Sequence, residues 1–152
     1  MAFDRHIVEA QLSLDRIGSS DTPKVAWDAL EAGLDGKYIR RLAALDSPTY
    51  FQVIEVLPQA MQEMGLVKLS RADASLRLAK NRAKEILDSG EDPLKHTRDF
   101  EHLWIDAGYP RELASVGNLD DEAFIDSRPE GTIREWVTER LREFIRTKEP
   151  TK

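Results

Sequence analysis

The stretch from Ser47 to Gly65, SPTYFQVIEVLPQAMQEMG, decides how the rest of the chain is read. Wound at about 100° per residue, Tyr50, Phe51, Val53, Ile54, Leu57, Ala60, Met61 and Met64 fall on one arc covering roughly half the circumference or more. Gln52, Glu55, Gln59, Gln62 and Glu63 hold the other side. That width predicts a helix buried over most of its girth and wetted along one seam. The ends are marked as well: Ser47 can accept from free N–H groups of a first turn, Pro48 suits the first helical position, and Gly65 suits the left-handed residue just past the end. Pro58 cannot donate to the carbonyl of Ile54 and its ring crowds that turn, which predicts a kink or two helices meeting end to end.

On the N-terminal side, residues 3–17 carry Ile7, Val8, Ala10, Leu12, Leu14 and Ile17, readable at helical spacing or as short alternation. Length and the absence of internal turn residues favour helix. Gly18 to Asp21 breaks the pattern. Asp21 or Thr22 with Pro23 opens a second helix carrying Val25, Ala26, Trp27, Ala29 and Leu30, which Gly33 stops, and a third runs from about Gly36 to Leu45.

On the C-terminal side, Ser70 opens a long helix to Ser89 with Ala72, Leu76, Ala79, Ala83, Ile86 and Leu87 inward and Gly90 as its stop. Asp92-Pro93 starts another that carries Leu94, Phe100, Leu103, Trp104 and Ala107 before Gly108 and Pro110. Residues 110–126 are less regular, with short turns around Leu113, Val116, Leu119, Phe124 and Ile125. From Glu130 to Thr147, Ile133, Trp136, Val137, Leu141, Phe144 and Ile145 recur at three- and four-residue intervals. No strand pattern and no internal repeat appears. The expected fold is all-α, a compact bundle or orthogonal array of about six to eight helices in one domain over residues 1–147, with 148–152 a frayed tail.

The order of these parts resembles a widespread family of small uncharacterised all-helical bacterial proteins. The resemblance runs from Ala26 to Phe144 and is carried by GLDGKYIRRLAAL, a polar-capped helix ending QEMGL, LAKNRAKEILDSGEDP leading into FEHLW, and the last amphipathic helix. It includes the Gly-x-Asp-Pro turn at Gly90 to Pro93. What it implies is the all-helical fold, with no catalytic residue to carry over.

Composition narrows the function classes. With 152 residues, 41% of them hydrophobic, and no cysteine, the chain can bury a real core but can form no disulfide, thiolate nucleophile or Cys-ligated metal site. No stretch approaches the ~18 apolar residues of a membrane span, and charges interrupt MAFDRHIVEA where a secretory segment needs its apolar centre. A cytoplasmic location with no membrane partner is expected. The net charge of -6 disfavours nucleic acid as a partner and suits a basic protein.

Three constellations bear chemistry. His96, Asp99, His102 and Asp106 stand on one predicted helix at the three- and four-residue spacing that can ligate a metal, the basis of an alternative reading as a metal-dependent hydrolase. Metal-binding bundles place such motifs on two helices, and no second one exists here, so a solvated flank with one half-buried histidine is preferred and no cofactor is expected. Arg71, Arg77, Lys80, Arg82 and Lys84 make a locally basic helix, the basis of a second alternative as a nucleic-acid-binding regulator, but no aromatic residue interleaves them for stacking. Asp120, Asp121, Glu122 and Asp126 lack the spacing of a calcium loop and complement a helix N-terminus. No nucleophile elbow, phosphate-cradling loop or His-Glu-x-x-His is present. The three tryptophans, Trp27, Trp104 and Trp136, read first as packing residues. The preferred function is a non-catalytic protein-binding module of immunity or antitoxin type. It would present an acidic helical surface, with Trp104, Tyr109, Asp120, Asp121, Glu122 and Asp126 as interface candidates.

Overall fold

In the computed structural model, which describes residues 3–147, the described chain is helical and contains no strand. The elements are α1 (Arg5–Ser13), α2 (Thr22–Glu31), α3 (Lys37–Ala43), α4 (Tyr50–Glu63), α5 (Arg71–Ser89), α6 (Thr97–Asp106), the four-residue turn α7 (Ala114–Gly117), α8 (Leu119–Ile125) and α9 (Glu130–Arg146). The fold is therefore all-α, with eight helices of seven residues or more. None of them is long and apolar enough to cross a membrane. The expected tail at 148–152 lies outside the described residues. Where length alone suggests one domain, the chain groups into two compact units, Met1–Ser70 and Arg71–Lys152.

In the first unit, α2, α3 and α4 surround a core of Ala26, Ala29, Ile39, Leu42, Val53, Val56, Ala60 and Met64. The cap of α4 is Thr49, two residues later than expected. Its hydroxyl accepts the Gln52 N–H while the Gln52 side chain accepts the Thr49 N–H at 2.8 Å, and Ser47 instead turns the chain with a φ of 42°. The helix ends as expected at Gly65, φ 74°. It runs through Pro58 as one element. Ile54 and Pro58 are both exposed, so the carbonyl that loses its donor faces solvent, where water can satisfy it.

The larger departure is in what α4 buries. Val53, Val56, Ala60 and Met64 are buried in the core, and Leu57 and Met61 pack against it half-buried; Tyr50, Phe51 and Ile54, expected inside, are 63, 72 and 40% exposed. Trp27 on α2 is also out, at 54%.

Two carboxylates do internal work in this unit. Glu63 Oε1 accepts the backbone N–H groups of Tyr38 at 2.7 Å and Ile39 at 2.9 Å, supplying to α3 the cap that Gly36 lacks. Glu9, buried on α1, accepts the Val67 N–H at 2.9 Å, and Ser13 Oγ accepts the Leu69 N–H at 2.9 Å while donating to the Glu9 carbonyl. The extended stretch after α4 is thereby strapped to α1.

The second unit packs α5 against α6 and α9, with α7 and α8 closing on α6 and α9. On α9 the buried residues Ile133, Val137, Leu141 and Phe144 follow the predicted periodicity; on α5 Leu76, Ala79, Ala83 and Ile86 do, joined by Ala74, Ser75 and Leu78, while the expected Ala72 and Leu87 are half-buried. Asp92 ties the turn after α5 to α9: its carboxylate accepts from Arg134 Nε at 3.1 Å and from the Leu94 N–H at 3.1 Å. The Arg134 hydrogen bond, opposed by desolvation, holds Asp92 below the usual carboxylate range.

Candidate protein-binding surface

The surface that best fits a recognition role is α8 with its flanks. Asn118, at the position before α8, bonds back to the Ala114 carbonyl at 3.0 Å rather than capping forward, so the first turn of α8 relies on Asp120, Asp121 and Glu122 to complement its N-terminal dipole. Only Leu119 is buried in this helix. The consequence is a short helix anchored at one end, and its other end carries Phe124 and Ile125, 89 and 80% exposed.

The interface candidates divide by role. Asp120 Oδ1 accepts from the buried Thr97 hydroxyl at 2.8 Å, and Arg98 lies 3.7 Å from Oδ2, so this carboxylate joins the start of α6 to α8. Asp126 terminates α8 and is closed by Arg128, whose guanidinium and backbone N–H both donate to it; that hydrogen bonding holds its carboxyl below the ordinary range. Asp121 is exposed and Glu122 half-buried, flanking the apolar tip. Glu101, Asp120 and Asp121 bring carboxylate oxygens within 4.8 Å of one another, which concentrates negative potential beside Phe124 and Ile125.

Trp104 is an internal anchor. Its ring lies against Gly117, its Nε1 donates to the Pro110 carbonyl at 3.1 Å, and Tyr109 meets it edge-on at 5.0 Å. Tyr109 itself is exposed with φ 59°. Trp136 is half-buried under Arg128 and Arg140, each within 5.9 Å of its ring.

The histidine constellation does not converge. His96 precedes α6 rather than standing on it, and Arg82 Nη2 lies 2.9 Å from its Nδ1. A guanidinium can only donate, so Nδ1 is the acceptor of this contact, and Nε2 lies 3.5 Å from Glu91. Asp99 joins the same cluster through Arg82 Nε at 3.2 Å. His102 and Asp106 are exposed farther along α6, where the Asp106 carbonyl accepts from Arg71. Among the described residues, no metal-sized group of ligands includes any of these four.

The basic helix is likewise turned to internal uses. Arg71 reaches α6, Arg82 holds His96, Asp99 and Glu85, and Lys80 donates to the Thr147 carbonyl while covering the Phe144 ring. The sequence signal for the exposed tip is an apolar pair, Phe124 and Ile125, one residue after three acids at the end of a seven-residue helix that is too short to bury it. No family model, curated protein or solved structure matches the chain, so this surface is read from its own geometry.

Proposed function

We propose that the protein is a non-catalytic, cytoplasmic protein-binding module, and that the tip of α8 is the contact. The observation that supports this reading is the exposure of Phe124 and Ile125 at the end of a helix whose first turn holds Asp120, Asp121 and Glu122. An aromatic residue and a branched aliphatic one, both outside and both edged with negative charge, suit a partner that offers an apolar pocket within a basic rim. The carboxylates would steer the encounter, and the apolar pair would hold the complex. Neutralisation of a basic toxin, as an immunity protein does, is the biological setting proposed.

The experiment is binding to the product of the neighbouring gene, followed by association kinetics at two salt concentrations. The association rate should fall as salt rises. Replacing Phe124 and Ile125 together by serine should weaken binding about 30-fold or more, the effect of removing an interface anchor. The same change should leave the melting transition nearly in place, because both side chains are outside the core. No complex, together with no relief of that product's toxicity on co-expression, would remove this reading.

A further inference from the structure

One peptide bond in the first unit is chemically unlike the others. Asp35–Gly36 is the chain's single Asp–Gly bond, and the sequence holds no Asn–Gly bond. It lies on the short connection between α2 and α3, where Asp35 is exposed and the Gly36 N–H donates to Asp35 Oδ1 at 2.9 Å. An amide nitrogen in contact with the side-chain carboxyl one residue before it is a single bond away from a five-membered imide, and glycine lacks the Cβ that hinders this closure elsewhere. Other aspartates are worse placed. Asp88–Ser89 lies inside α5, and the Asp126 carboxylate accepts the Arg128 N–H, two residues on.

We propose that Asp35–Gly36 is a site of succinimide closure and isoaspartate formation, and that Arg40 sets its pace. In the closing step the Gly36 nitrogen attacks Asp35 Cγ; the N–Cγ bond forms, and the carboxyl hydroxyl departs with the amide proton as water. Water then opens the imide. Opening at Cγ restores aspartate, whereas opening at the main-chain carbonyl leaves isoaspartate, with Cβ and Cγ now part of the backbone. The water lost in the first step returns in the second, so the sequence needs no oxidant and no other reactant. Closure requires the neutral carboxyl, because a carboxylate has no hydroxyl to lose. Arg40 opposes that form: Nε donates to Oδ1 at 2.8 Å and Nη2 to Oδ2 at 2.5 Å, and this hydrogen bonding, against desolvation, holds Asp35 below the usual carboxylate range. Both partners are more than half exposed, so the pair slows closure without forbidding it.

The change falls where α3 is fastened. The Leu34 N–H is bound to the Ala29 carbonyl and the Gly36 carbonyl accepts the Arg40 N–H, each at 3.0 Å, so a lengthened backbone has to be absorbed at the very start of that helix. Its Tyr38 and Ile39 amides are the ones that Glu63 holds. Isoaspartate therefore loosens this cap.

Ageing the intact chain at neutral pH tests the proposal, read by peptide mapping that separates aspartate from isoaspartate and by methyl transfer from S-adenosylmethionine with an isoaspartyl methyltransferase. Isoaspartate should build up at position 35 ahead of every other aspartate, and the modified fraction should melt below the fresh chain. Arg40→Gln should fold normally, since the pair is outside the core, and should age about two- to fivefold faster, the range that an exposed pair can hold back. Added salt should bring the wild type toward the variant and leave the variant unchanged, a response that mere loosening of the connection would not give. Asp35→Glu, whose closure needs a six-membered ring, should carry no label at position 35. A faster site elsewhere, no isoaspartate at position 35, or an Arg40→Gln rate equal to that of the wild type overturns the proposal, and a modified fraction that melts like the fresh chain overturns its link to α3.

Discussion

The two units solve the same problem by different means. The first sends carboxylates inward to catch backbone amides, Glu63 at the start of α3 and Glu9 at Val67, and leaves Tyr50 and Phe51 outside on α4. The second pairs its charges with one another, Arg82 with Asp99 and Glu85, Arg134 with Asp92, Arg128 with Asp126, and exposes apolar side chains beside carboxylates. The difference teaches that an exposed apolar side chain has no meaning until the charge around it is known. An acidic surround, as at Phe124 and Ile125, suits a basic one.

The contrast is sharpest where each unit brings a side chain against a glycine. A Cβ on Gly117 would fall 2.5 to 2.7 Å from atoms of the Trp104 ring, which can move only by giving up its hydrogen bond to the Pro110 carbonyl or its contact with Tyr109. Gly117→Ala should therefore cost about 1–3 kcal/mol, the range for overpacking, and shift the tryptophan emission as the ring moves. A melting curve and spectrum like those of the wild type would show that Trp104 is not wedged.

In the first unit the neighbour of glycine is a flexible tip. A Cβ on Gly36 would lie 2.5 and 2.6 Å from the Glu63 carboxylate oxygens, and the side chain can swing away, but only by releasing the Tyr38 and Ile39 amides. Gly36→Ala should then destabilise by about 1–2 kcal/mol, the value of a lost helix cap, with Glu63→Ala costing about the same. Because both changes remove one interaction, the double variant should cost little more than either single one. Additive losses in chemical denaturation would mean that the two residues act separately.

The smallest effect concerns acid. Asp92 is held low by Arg134, so its folded-state value lies below its unfolded one; the contribution to stability is complete above about pH 4, the ordinary carboxylate value, and is lost as pH falls through the lowered one. Arg134→Gln should lower the melting temperature slightly at neutral pH and leave it nearly unchanged in strong acid, so that the fall on acidification flattens. Asp35 and Asp126 shift in the same direction beside Arg40 and Arg128, so the variant removes only one share of the slope. An unchanged acid profile would show that the pair is too well solvated to matter.

Helix limits were readable because glycine marks them: Gly33, Gly65, Gly90 and Gly108 all take the positive φ assigned to a helix stop. The inner stripes of α5 and α9 were readable for the same kind of reason, a sustained period. What periodicity does not encode is coverage. It groups Tyr50 and Phe51 with Val53, yet α1, α2 and α3 cover only the side that Val53 shares with Val56, a residue the broad arc left out. Carboxylates that reach across the chain are also invisible locally. Nothing near Glu63 announces Tyr38, although a glycine standing where α3 needs a cap is a hint that the acceptor comes from elsewhere. The histidine spacing misled because Arg82, fourteen residues upstream, uses His96 as an acceptor.

The strap from α1 to Val67 and Leu69 has a consequence for how the first unit is made. Its bonds join residues 58 and 56 positions apart, so the opening helix cannot be pinned until nearly the whole unit has left the ribosome. Until then the nascent segment holds a carboxylate and a hydroxyl in readiness for amides not yet synthesised, and the arrival of Leu69 is the event that completes the fastening.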